Sequence, residues 1–159
     1  MHDLVISWFQ NFPHELAIFL IAMVPVTELR AALPLAYKSY QMTAWEAWLW
    51  SVAGTYVAMV VIVSLLDPVA KFLSRHFKFF EQFFNWLFEH TRKRTNGKME
   101  KYGEWALFIL AAVPIPFVGG LTGALAAFVF GVPLKKSLPL LLLGTMVSGG
   151  IVLVLTLGI

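Results

Sequence analysis

The stretch AMVPVTELRAALPLAY, Ala22–Tyr37, sets two prolines, a glutamate and an arginine into an otherwise apolar segment. Burial requires none of these residues, and a membrane segment is harmed by them. Proline removes a backbone donor and clashes with the preceding turn. A charged side chain at the bilayer centre costs about 2.5–3.5 kcal/mol, so Glu28 and Arg30 together cost about 5–7 kcal/mol at that depth. Each Leu, Ile, Phe or Val returns only about 0.3–0.6 kcal/mol. The apolar neighbours offset the pair without explaining it. Broken backbone at that depth is tolerated only inside protein or beside a water-filled cavity.

Composition places the segment in a membrane. The chain has 159 residues, 59% hydrophobic and 13% charged, against about half and a quarter in soluble domains. Its mean hydropathy is +0.76. Two stretches, Ala44–Leu66 and Lys136–Ile159, each have about the 20 residues that a spanning helix needs. Glu46 lies near the end of the first, where its charge reaches the interface. With no cysteine, disulfides, cysteine-ligated zinc, Fe–S clusters and thiol catalysis are excluded. His2, His14, His76 and His90 lack ligand spacing, and no catalytic pair, phosphate loop or dinucleotide fingerprint is present. The expectation is a protein without metal or cofactor, and not an enzyme. The first residues, MHDLVISWFQNF, lack the basic region and cleavage site of a signal peptide and read as mature sequence.

A second broken segment, Gly103–Gly131, carries VPIPFVGG where the first, Pro13–Tyr37, carries VPVTE. Val24-Pro25 is followed by Gly54-Thr55, and Val113-Pro114 by Gly144-Thr145, at nearly equal spacing. The order of broken segment, turn and full span occurs twice, which reads as an internal repeat. Two models fit. In one, each broken segment is a re-entrant hairpin with limbs of about 12 residues, about 18 Å of helix, reaching just past the middle of a ~30 Å core. In the other, each is a kinked full span.

Charge favours hairpins. Eight of the twelve Lys and Arg fall between Asp67 and Tyr102, and basic residues beside spans mark the cytoplasmic side. Hairpins put Lys135 and Lys136 on that side too, with only Lys38 outside. The same clustering argues for membrane lipid rather than nucleic acid as the partner. The expected fold is therefore all-α integral membrane: two inverted repeats, each a re-entrant helical hairpin plus one transmembrane helix, joined by a cytoplasmic amphipathic helix. The first repeat is 1–66, the linker 67–102 and the second repeat 103–159, in the inner (plasma) membrane with both termini outside. In the linker, Lys71, Arg75, Lys78, Gln82, Asn85, Glu89 and Arg92 share one helical face, while Phe72, Phe80, Phe83, Phe84, Leu87 and Phe88 lie largely on the other. That helix rests either on the membrane surface or on the protein's own spans. TRKRTNGK, 91–98, reads as a turn.

The hairpin tips are expected to meet in a polar midplane cavity. Glu28, at the start of the second limb, is placed to carry a proton, and Arg30 to contact an anion. Being two residues apart on a helix, they face different ways and need separate partners. Thr27, Thr55, Tyr56, Thr145 and Ser148 are candidate cavity-lining residues. Pro25, Pro114, Pro116, Gly119 and Gly120 are the hairpin breaks. Gly119, Gly123, Ala127 and Gly131 form a small-residue stripe suited to close packing, within the chain or across a dimer.

VPVTELRAALPLA and VPIPFVGGLTGALAAFVFG resemble the family of small multidrug export proteins, itself similar to the DedA/VTT membrane proteins. The resemblance covers nearly the whole chain. It implies paired re-entrant hairpins and transport; DedA-like proteins are linked to polyprenyl phosphate lipids and proton-linked physiology. Those proteins carry arginines at the second hairpin, whereas Val113–Gly131 here has no charge. The functional expectation is a secondary transporter of small molecules or lipid, possessing a midplane site and acting as a homodimer. The alternative is a non-transporting membrane organiser acting through the linker helix.

Overall fold

The computed structural model describes residues 11–114 and 119–158. Among them the chain forms seven helices: α1 His14–Met23, α2 Glu28–Lys38, α3 Ala44–His76, α4 Lys78–Tyr102, α5 Trp105–Ala112, α6 Gly120–Val129 and α7 Leu134–Leu157. Among the described residues, only α3 and α7 are long and apolar enough to cross a membrane. With the composition, they make this a multi-pass membrane protein. Packing divides the chain into two compact units: residues up to Ala58 with those from Gly149 onward, and Met59–Ser148.

In the first unit, α1 and α2 pack against each other as a helical hairpin. The rings of His14, opening α1, and Tyr40, just past α2, lie 4.8 Å apart. A kinked helix over those 26 residues would hold them about 39 Å apart. The contact is made by small and branched side chains: Ala17, Ile18, Ile21 and Ala22 on one limb, Leu29, Ala32, Leu33 and Ala36 on the other. Lipid supplies no hydrophobic drive for helix association, so close packing and hydrogen bonds must do it. α3 accordingly presents Gly54 to α1, where a Cβ would meet the Phe19 carbonyl and lie 2.8 Å from Ala22 Cβ. The adjacent Thr55 hydroxyl donates to the Ala22 carbonyl at 3.3 Å.

The second unit repeats the arrangement. α5 and α6 pack as a hairpin; a Cβ on Gly123 would lie 3.6 Å from the Leu107 carbonyl oxygen and 2.8 Å from Leu141 Cδ2. Glu104 and Lys136, on either side of the hairpin, are bonded at 3.0 Å, whereas 32 residues of continuous helix would separate them by about 48 Å. Gly131, with φ +65°, ends α6 where the chain must turn. α7 presents Gly144 to α5 as α3 presents Gly54 to α1: a Cβ would lie 2.6 Å from both Ala111 Cβ and the Phe108 carbonyl oxygen. Of the small-residue stripe, Gly119, Gly123 and Ala127 are buried within the chain, whereas Gly131 is exposed.

The linker differs from expectation in three ways. It is not one helix. α3 runs on through Asp67 and Pro68 to His76, and Phe77, in extended conformation (φ −139°, ψ 121°), separates it from α4. The 33 residues of α3 measure about 50 Å, some 20 Å more than a hydrocarbon core. Residues 91–98 are not a turn but part of α4. Thr91 and Thr95 are buried there, with Thr95 Oγ1 donating to the Thr91 carbonyl at 2.6 Å. Nor do the phenylalanines share a face. Phe84 is buried and Phe88 meets Phe128 at 5.1 Å, whereas Phe72 and Phe83 are exposed.

Candidate functional site

The first hairpin reverses over four residues. Val24 leaves α1 in extended conformation, and Pro25, which has no N–H, sits where no donor is needed. The amides of Thr27 and Glu28 bond back to the Val24 carbonyl at 3.1 and 2.9 Å. The Thr27 hydroxyl donates to the Ile21 carbonyl at 2.6 Å, so an acceptor freed by the end of α1 is satisfied within the turn. Val24 and Val26 are exposed at the outermost point.

Glu28 follows with φ +44°. A left-handed conformation costs a residue with a Cβ about 1–2 kcal/mol. It also redirects the side chain. Glu28 Oε2 lies 3.5 Å from Arg30 Nη2, and the two side chains are only 12% and 23% exposed. The expectation of separate partners is therefore corrected: the i, i+2 rule assumes helical backbone at both residues, and Glu28 departs from it. Pro34, inside α2, has no N–H to give the Arg30 carbonyl. The tip thus gathers a carboxylate, a guanidinium and a backbone acceptor behind an apolar edge.

The other candidates fall in two groups. In the first unit, Thr55 is buried against Ala22, with half-buried Tyr56 beside it. In the second, Thr145 is fully buried; its hydroxyl donates to the Leu141 carbonyl at 2.7 Å and lies 3.6 Å from Met59 Sδ. Met59 also covers Gly120, where a Cβ would fall 3.1 Å from Sδ. Gly119 and Ser148 are buried, Pro114 is half-buried and Pro25 exposed; Pro116 lies outside the described residues.

Two features escaped the sequence reading. Ser51 is fully buried, and its hydroxyl has no hydrogen-bond partner among the described residues; the same holds for the Tyr40 hydroxyl. Ser51 stands four residues before Thr55, one helical turn away, and that spacing was the available signal. The second is the extent of the repeat. Glu15–Pro25 and Glu104–Pro114 align with Glu, Ala, Phe, Ala, Val and Pro identical. The residues buried on α1 (Ala17, Ile18, Ile21, Ala22) and on α5 (Ala106, Leu107, Leu110, Ala111) occupy the same aligned positions.

Comparison with curated proteins and with solved structures finds no match. Residues 28–151 match the family described as "Putative small multi-drug export protein". That match begins at the charged tip, ends within α7 and spans most of the chain, so this protein belongs to that family.

Proposed function

We propose that this chain is a small secondary transporter whose two hairpins are re-entrant, with a proton carried by Glu28 and the cargo passing near the tip of the first hairpin. The observation that carries the reading is the Glu28–Arg30 pair at 3.5 Å, held behind an apolar tip by a strained residue. Strain kept where a relaxed turn would serve is characteristic of functional positions. Protonation of Glu28 removes the charge that holds Arg30. The guanidinium is then free for an anionic group, for which its planar donors are suited. Departure of the anion lets Glu28 ionise and the pair re-form. A cationic cargo would instead displace Arg30 from Glu28. An anion would thus bind together with the proton and a cation in competition with it, both through the one pair.

In this reading the linker and Lys136 face the cytoplasm, both termini lie outside, and a second copy completes the path. Support for the common side of linker and Lys136 is the Glu104–Lys136 bond, together with the contact from Arg92 Nη2 to the Val129 carbonyl at 3.5 Å. The test uses proteoliposomes loaded with a pH-sensitive dye and given ethidium or a short-chain phosphatidate. Wild-type vesicles are expected to move protons with one cargo. Glu28→Gln should abolish that flux with unchanged thermal melting. Flux that survives the substitution, or wild-type vesicles inert to both cargoes, overturns the reading. A second reading, a membrane organiser acting through α4, is favoured by the exposure of Phe79, Phe83 and Trp86. It expects Glu28→Gln to leave function intact.

A further inference from the structure

The outer surface of α4 is divided. Facing inward, Phe84, Thr91 and Thr95 are buried, and α4 packs on α5 and α6. Outside, Phe79, Phe83, Trp86, His90, Arg94 and Lys101 follow one another at intervals of four, three, four, four and seven residues, which places them on one ridge. Phe79 is 71% exposed, Phe83 44% and Trp86 58%. The rings form a continuous row: Phe83 and Trp86 are 6.5 Å apart, and Trp86 stacks on His90 at 5.2 Å with a 12° tilt. Beside that stack runs a shallow groove lined by Trp86, Glu89, His90 and Lys93.

Charge follows the same division. The three acids of α4, Glu81, Glu89 and Glu100, lie off this ridge, and Glu89 is tied to Lys93 at 2.9 Å. The ridge carries aromatics at its start, then Arg94 and Lys101. Just before α4, exposed Phe72 and Phe77 are accompanied by Lys71 and Arg75. Apolar rings, then the amphipathic Trp86 and His90, then cations match the boundary between acyl chains and anionic headgroups.

We propose that α4 is a two-faced interfacial helix. Its inner face clamps the α5–α6 hairpin, and its outer ridge of Phe79, Phe83 and Trp86 is immersed in the headgroup boundary of an anionic bilayer, with Arg94 and Lys101 on the lipid phosphates. This stands independently of transport through the Glu28–Arg30 pair. It fixes a different element against a different ligand.

The native chain has no cysteine, so single spin labels report cleanly. Labels are placed at Phe83→Cys on the ridge and Asn85→Cys on the polar side of the same turn, with Phe79→Cys as a second ridge position. The full chain is studied in nanodiscs of phosphatidylcholine mixed with phosphatidylglycerol. Ridge labels are expected to be relaxed by oxygen and shielded from a water-soluble nickel chelate, and the label at 85 to show the reverse. Each basic residue near an anionic surface favours docking about five-fold. Arg94→Gln with Lys101→Gln should therefore lower the docked-to-undocked ratio roughly 25-fold, and pure phosphatidylcholine should shift it in the same direction. Equal nickel access at 83 and 85 overturns the proposal. Shielding at 83 that is the same in both lipids and in detergent also overturns it, since protein rather than lipid then covers the ridge.

Discussion

Gly54→Ala and Gly144→Ala each press one methyl group into the first limb of a hairpin. At Gly54 the new Cβ would lie 2.8 Å from Ala22 Cβ and 3.1 Å from the Phe19 carbonyl carbon; at Gly144, 2.6 Å from Ala111 Cβ and from the Phe108 carbonyl oxygen. The obstacles are backbone atoms and alanine methyls, which have no rotamer to turn away. Overpacking costs about 1–3 kcal/mol, and these sites belong at the upper end. Against that, alanine gains about 0.8–1.0 kcal/mol over glycine in a helix interior. The net is a loss of about 2 kcal/mol at each site. For a chain of this length, each kcal/mol shifts Tm by about 2–4 °C, so both variants should melt roughly 4–8 °C below wild type. Gly150, on the same helix as Gly144, has nothing within 4 Å of the place its methyl would take. Gly150→Ala should therefore keep the propensity gain and melt about 2–4 °C higher. Thermal melts in detergent, followed by circular dichroism, provide the measurement. If all three variants move together, or Gly54→Ala and Gly144→Ala match wild type, the shared glycine contact is not what joins span to hairpin.

Three other predictions test other parts of the structure. Glu28→Gly should be more stable than Glu28→Gln by about 1 kcal/mol, since both lose the charge and only glycine relieves the positive φ; paired melts give the difference. Glu46 accepts from the Thr43 amide at 3.1 Å and hydroxyl at 2.8 Å, closing the start of α3, so Thr43→Val should cost about 1 kcal/mol in the same assay. Single cysteines at Lys101 and Lys135 should react with an impermeant maleimide from one side of the membrane, and a cysteine at Ser39 from the other. Labelling of 101 and 135 from opposite sides would favour a straight crossing of the second segment.

The hairpins are legible in the sequence because Val-Pro interrupts two apolar runs, and because each run is too long for a limb and too broken for a span. The two long spans are legible from length alone. The Glu28–Arg30 pairing is not, since side-chain spacing predicts direction only on regular backbone and nothing in TEL announces a positive φ. Asp67-Pro68 is a stop signal that predicts an end to α3 near Leu66; the helix nevertheless continues through it. Residues 91–98 mislead for a related reason. Thr, Asn and Gly are weak helix formers, but burial of Thr91 and Thr95 against the neighbouring hairpin outweighs local preference.

The turn that closes the first hairpin also bears on how such a chain enters lipid. The Thr27 hydroxyl and the amides of Thr27 and Glu28 bond to residues at most six positions away, and Glu28 meets its counter-charge two residues on. The turn can form these bonds before any other helix has been synthesised. On the proposed re-entrant topology both ends would emerge together, and no hydrophilic loop would need hauling across the bilayer during biogenesis. An insertion machine would handle it as one wedge pushed in from a single side.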